Sequence, residues 1–348
     1  MNIDCFALSV SARGVRVPVT IDDISRHLGL SVSTVSKALN DYNDVSEATK
    51  RRVREAAAAL GYTPSAAARN LRRRRTEKLG FSYGYPVNLI GEYASRIING
   101  AVAAAEEQGY NLILYPFRED RLDLLLQVVR AREVDGFLLM GGLNWKHTVR
   151  LLKKERMPFV VLARRVDDPD VSFVTPDDVE GGALITRHLL ELGHRRIAFV
   201  TRSSLETGED RLLGYAQALG AAGIRIDETL IARTDLARGT AYEAANRLLS
   251  LPHPPTAIIG LNDPIAIECI QAIQDRGLRI PQDVAVAGAD DLRDSLAVSP
   301  ALTTMHPPLA EIGRVATGTL LRMVQEPTAT ATQLRLPFKL VVRASTAG

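Results

Sequence analysis

Two hydrophobic rhythms divide the chain. From Val19 to Leu60 apolar residues recur every three or four positions, Ile24 with Leu28, Val35 with Leu39, then Val53, Ala57 and Leu60, which predicts three short amphipathic helices. Polar residues and glycines mark their ends. Thr20 precedes the first helix with Asp23 three residues on as a capping-box partner, and Gly29 stops it. Ser31 with Thr34 opens the second; Ser46 and Glu47 open the third, which Gly61 closes. Two short helices around a glycine-containing turn form a helix-turn-helix arrangement.

From Leu79 the rhythm becomes short apolar runs, near 79–83, 111–115, 135–139, 158–162, 196–200, 256–260 and 284–288, alternating with amphipathic stretches such as DDVEGGALITRHLLELG and DPIAIECIQAIQDRG. That alternation predicts α/β architecture with parallel sheets covered on both faces. More than six such units, with Thr175-Pro176 midway, fit two lobes better than one sheet. Between the two regions lies SAAARNLRRRR after Pro64, too polar and too short to hold a helix unless docked on something.

At 348 residues, 46% hydrophobic and 24% charged, the composition is that of a soluble protein with a small domain and a larger one. No run of eighteen apolar residues suggests a membrane span. Residues 1–18 carry Asp4, Arg13 and Arg16 and lack a continuous apolar stretch, so we expect a disordered tail or an over-extended start, not a signal peptide. Cys5 and Cys269 are too far apart in sequence for a local metal motif, a usage suited to a reducing cytoplasm.

Charge changes the picture. The net +3 hides twelve Lys/Arg against seven Asp/Glu between Val19 and Lys78, and 29 against 32 from residue 79 to the end. A basic first segment on a slightly acidic body points to a polyanion partner for the first segment alone.

VTIDDISRHLGLSVSTVSKALN, VSEATKRRVREAAAALGYTPSAAARNLR, LGHRRIAFV, RLLGYAQAL, IIGLNDPIAIECIQAI, IPQDVAVAGADD and PALTTMHPPLAEIG resemble, in order, segments of the lactose-repressor (LacI/GalR) family of bacterial transcription regulators. The resemblance covers nearly everything after residue 18. It implies an N-terminal helix-turn-helix headpiece (19–63), a hinge helix and linker (64–78), and a two-lobed effector-binding and dimerisation domain like periplasmic sugar-binding proteins (79–348). The first lobe is expected at about 79–175 and 306–326, the second at about 177–304 and 327–348. The implied partners are a pseudo-palindromic double-stranded DNA operator, a second copy of the chain and a small-molecule effector, with no cofactor and no membrane. The end at Gly348 without a leucine heptad tail favours a dimer over a tetramer.

By that resemblance Val32, Ser33 and Lys37 face base edges: Lys37 donates to guanine O6 or N7, Ser33 donates or accepts, and Val32 packs on a thymine methyl. Thr20, Ser31, Thr34, Thr49 and Tyr62 are candidate phosphate contacts, or simply caps and packing. In the hinge, Ser65, Ala68, Arg69 and Leu71 are the DNA candidates, with Leu71 as a minor-groove wedge and Arg72 to Arg75 near phosphates.

In the sensor part the resemblance places Arg211, Asn262 and Asp290 in the cleft from the second lobe, as donor fork, mixed partner and bidentate acceptor. Asp177 either joins them or caps the next helix. From the first lobe, Tyr83 and Tyr85, at the end of the first strand, and Trp145 are stacking candidates, or simply pack under a loop. Arg164 suits an acidic or phosphorylated ligand, or faces solvent. A sugar or sugar derivative is the expected effector, with a purine as the alternative.

Rival readings find less support. Six scattered histidines, with no P-loop and no GxGxxG after a strand, argue against an enzyme. A secreted binding protein explains residues 79–348 but not the basic helix-turn-helix.

Overall fold

The computed structural model of the chain describes residues 19–62, 75–83, 91–115, 122–141, 145–202, 206–235, 239–326 and 328–347. Residues 1–18, the hinge candidates Ser65, Ala68, Arg69 and Leu71, and Tyr85 lie outside the described residues. The chain divides into two compact units at Arg75/Thr76.

The first unit holds α1 (Ile21–Leu28), α2 (Val32–Leu39) and α3 (Glu47–Leu60). The caps are those the sequence predicts. Asp23 accepts from the Thr20 N–H at 2.8 Å and its hydroxyl at 2.7 Å, Ser31 accepts from Thr34 N–H at 3.0 Å, and Ser46 from Thr49 N–H at 3.2 Å. Gly29 and Gly61 end α1 and α3 at φ of 64° and 68°, the left-handed region that glycine enters without a Cβ penalty. Ile24, Val35 and Val53, one from each helix, are wholly buried. Each contributes roughly 1.5–3 kcal/mol of burial, enough to orient three short helices that could not stand alone.

The second unit begins with β1 (Lys78–Tyr83), α4 (Glu92–Glu107), β2 (Asn111–Tyr115), α5 (Leu122–Arg130), β3 (Gly136–Met140), α6 (Trp145–Lys154), β4 (Phe159–Leu162) and β5 (Phe173–Pro176). It continues through α7 (Asp178–Glu191), β6 (Ile197–Arg202), α8 (Glu206–Ala221), β7 (Ile231–Thr234), α9 (Thr240–Leu249), β8 (Ala257–Gly260), α10 (Asp263–Asp275), β9 (Ala285–Ala289), α11 (Asp294–Ala297) and β10 (Thr303–His306). Helix α12 (Leu309–Gln325), β11 (Gln333–Leu336) and β12 (Lys339–Val341) complete it.

Two six-stranded sheets result, ordered β11-β5-β4-β3-β1-β2 and β12-β10-β9-β8-β6-β7. Every pairing is parallel except β10 with β12. The chain passes between the sheets after β5, after β10 and after β11. The third passage corrects the expected lobe boundary. Residues 327–348 are expected in the second lobe, yet Gln333–Leu336 pairs with Phe173–Pro176 in the first sheet, and only Lys339–Val341 joins the second. Pro337 cannot donate to a strand ladder, and it falls where the chain leaves one sheet for the other.

Paired glycines set the closest helix contacts. A Cβ on Gly182 of α7 would lie 2.0 Å from the Arg211 carbonyl oxygen, and one on Gly214 of α8 1.8 Å from that of Val179. Backbone therefore meets backbone between α7 and α8. Gly100 and Gly313 play the same part between α4 and α12.

Candidate effector cleft and nucleic-acid interface

Parallel sheets direct the C-terminal ends of their strands toward the crevice where α/β proteins bind ligands. From the second lobe this end carries Arg211, Asn262 and Asp290 with two further carboxylates, Asp178 and Asp263. The α7/α8 contact brings Arg211 against Asp178: Nε donates to Oδ1 at 2.8 Å and Nη1 to the Leu261 carbonyl at 2.5 Å. The guanidinium carbon lies 5.4 Å from the Phe338 ring centroid. Nη2 stands 3.7 Å from Asp290 Oδ1, beyond hydrogen-bond reach, and that oxygen is buried without a hydrogen bond.

This placement shifts the acids. Burial pushes Asp290 up to about 7, opposed by Arg211 and reinforced by Asp263 and Asp178. Burial also raises Asp263 to about 6, although Thr304 Oγ1 at 2.5 Å and the Leu292 N–H at 2.8 Å donate to it. Asp178 is raised by burial against the pull of Arg211. Burial opposes the charge on Arg211, but Asp178 and Asp290 hold it in the protonated form. Tyr93, on the first turn of α4 in the other lobe, has its hydroxyl raised by burial and then by the charges of Asp290 and Asp178.

Of the two roles open to Asp177, the structure shows the cap: its carboxylate accepts from the Glu180 N–H at 3.2 Å, and the next residue, Asp178, is the one that meets Arg211. Asn262 caps α10 by accepting from the Ile265 N–H at 3.2 Å. Tyr83 is 7% exposed and packs in the first-lobe core. Arg164 faces neither an open anion site nor solvent. It donates to Glu206 Oε2 of the second lobe at 2.9 Å, and its guanidinium lies 5.1 Å from the Trp145 ring centroid.

Arg165 reaches across to Asp210 at 3.2 Å. On α4, Glu92 accepts from the Arg293 N–H at 2.8 Å, while Arg96 donates to the Asp291 carbonyl at 3.0 Å. The two lobes thus meet through charged contacts at several points. Sequence reasoning misses Asp178, Asp263, Glu206 and Asp210, because each acquires its role from a residue far away along the chain. The doubled acid in TPDD is the one local hint.

On the headpiece, Ser31, Val32 and Ser33 are exposed at the start of α2, where free N–H groups and the helix dipole favour phosphate. Thr34 and Thr49 are drawn into the caps, their hydroxyls 2.8 and 2.9 Å from those of Ser31 and Ser46. Tyr62 packs against the headpiece core. Lys37 forms an ion pair with Asp44, and that contact holds the Asp44 carboxyl below its usual range.

Residues 20–65 match the family described as bacterial regulatory proteins, lacI family, and residues 186–346 match the periplasmic binding protein-like domain. The ribose operon repressor of Escherichia coli K12 is 32% identical over 94% of this chain and 99% of its own length. The chain belongs to the LacI family. The HTH-type transcriptional repressor PurR of Aliivibrio salmonicida is 32% identical, covering 88% of this chain and 92% of the relative. A lac repressor dimer bound to operator and the anti-inducer ONPF superposes with a TM-score of 0.80 at 25% identity, over 95% of this chain and 100% of that one. The transcriptional regulator CelR–cellobiose complex gives 0.73 at 28%, over 94% and 99%.

This LacI-family protein is a DNA-binding transcriptional regulator with a ligand-binding domain, not an enzyme. The helix-turn-helix, the two parallel-sheet lobes and the family were all readable from the chain. Among the described residues no helix is long and apolar enough to cross a membrane.

Proposed function

We propose that this regulator represses transcription from the cytoplasm as a homodimer on a pseudo-palindromic operator, and that a sugar or sugar derivative held between its lobes sets its operator affinity. The observation that carries the ligand reading is the 3.7 Å separation of Arg211 Nη2 and Asp290 Oδ1. A buried donor and acceptor that attract each other as an ion pair yet stand too far apart to hydrogen-bond suit a hydroxyl that accepts from one and donates to the other. Asn262, next to the Leu261 carbonyl that Arg211 holds, is the further donor in this reading, and Trp145, stacked with Arg164, offers an aromatic wall.

In this reading Val32, Ser33 and Lys37 read bases, and the α2 N-terminus with Thr20, Thr34, Thr49 and Tyr62 sits on phosphates. The hinge from Ser65 to Leu71 folds on the operator with Leu71 inserted. The ligand binds one arrangement of the lobes better than the other, and its effect on DNA binding cannot exceed that difference in affinity. A purine is the second reading, supported by the named PurR relatives.

A thermal-shift screen of the full chain with sugars, sugar phosphates and purines, followed by operator titration with each hit, tests the proposal. A sugar that both stabilises the chain and changes operator affinity supports it. A purine hit with no response to any sugar overturns the first reading in favour of the second.

A further inference from the structure

We infer that the segment Asp290–Arg293 reads ligand and lobe closure together, and that Arg343 is its positioning residue; this rests on the ligand site proposed above. Four consecutive residues make contacts in different directions. Asp290 faces Arg211 in the cleft. The Asp291 carbonyl accepts from Arg96 of the first lobe at 3.0 Å, and the Arg293 N–H donates to Glu92 of the same helix at 2.8 Å. The Leu292 N–H donates to buried Asp263 at 2.8 Å. A shift that re-aims the ligand contact therefore moves both first-lobe contacts with it.

The segment does not hold this shape by local preference. Asp290 and Asp291 have φ of 105° and 49°, two successive non-glycine residues in the left-handed region. Tertiary contacts must impose it. The Asp291 carboxylate is gripped by Arg343 Nη2 at 2.5 Å and by His306 Nδ1 at 2.8 Å. Arg343 Nη1 in turn donates to Ser295 Oγ and the Leu302 carbonyl, each at 2.8 Å. Arg343, which among the described residues makes no hydrogen bond or ion pair with Asp290 or the first lobe, though its charge acts on Asp263, thus fixes the turn that serves both.

The test is a double-mutant cycle between Arg343 and the first-lobe partners, which do not touch it. In the full chain with Cys5→Ser, spin labels at Lys154→Cys and Arg225→Cys report the inter-lobe distance, with labelled chains diluted in unlabelled ones. Arg343→Met and the pair Glu92→Ala with Arg96→Ala are each expected to lower the closed-to-open ratio several-fold. Combined, they lower it no further than the larger of the two, and Arg343→Lys recovers part of the loss. Effects that multiply overturn the inference, as does an unchanged distance in folded Arg343→Met. If Arg343→Met does not fold, Asp291→Asn takes its place with the same expectations. The cycle needs no ligand, so its outcome stands even if every compound in the ligand screen fails to bind.

Discussion

Arg211 Nε lies 2.8 Å from Asp178 Oδ1, and the helices that carry them touch backbone to backbone beside that pair. Glycine is what allows it. A methyl group at Gly214 would sit 1.8 Å from the Val179 carbonyl oxygen, with no flexible side chain to give way. Gly214→Ala should cost roughly 1–3 kcal/mol or more through overpacking and should weaken ligand binding by parting Arg211 from Asp178. Urea unfolding checks it; a wild-type midpoint contradicts it.

Removing Arg211 leaves Asp178 and Asp290 facing each other without a cation. Arg211→Met should destabilise the chain by about 3–5 kcal/mol, the usual penalty for breaking a buried pair from one side. Asp178→Asn in the same chain should return part of that. Asp290→Asn, which keeps a residue type tolerant of the positive φ there, should sharply weaken the ligand's effect on DNA while operator affinity without ligand stays near wild type, as read by anisotropy. Loss of operator binding in folded Asp290→Asn contradicts this division of labour.

The raised cleft acids give stability a pH signature. Asp290 goes from 3.8 to about 7 and Asp263 from 3.8 to about 6 on folding. Between the unfolded and folded values the native state holds more protons, so the stability tied to these groups falls as pH rises and levels off above the folded values. Asp290→Asn removes the larger of the two effects. Its advantage over wild type in thermal unfolding should grow from about pH 4 to about pH 7 and then stay constant. An advantage greatest at low pH contradicts the assignment.

The contrast between Asp177 and Asp178 shows what a sequence can carry. Caps, helix phases and the seven first-named strands depend on neighbours within a few positions, so Thr20, Ser31, Ser46, Gly29 and Gly61 announce themselves. That an acid caps a helix is also local. Which of two adjacent acids meets Arg211, 33 residues on, depends on the rotation of α7 against α8, which the close contact at Gly182 and Gly214 fixes. Arg164 looks like an anion receptor because nothing nearby reveals Glu206, 42 residues on. Strand Gln333–Leu336 escapes notice for a similar reason: it carries no buried apolar run of its own and is placed by pairing with Phe173–Pro176, some 160 residues earlier in the chain.

On the headpiece, Lys37 is paired with Asp44 at the surface, where a phosphate or a guanine can take over the contact. Lys37→Ala should lower affinity for the selected operator by about 1–3 kcal/mol, roughly 5- to 150-fold, and relax preference at one base position in each half-site. Selection from random duplex DNA with both proteins checks this. A uniform loss across all sequences makes Lys37 a phosphate contact instead.

The central claim, that the cleft and the operator are two sites of one equilibrium, has a direct test in reciprocity. For a compound taken from the thermal-shift screen, the factor by which saturating compound changes operator Kd must equal the factor by which saturating operator changes compound Kd. Calorimetry and anisotropy on the full chain give both numbers. Equal factors different from one are the predicted result; a compound that binds the cleft with the same Kd with and without operator would contradict the account.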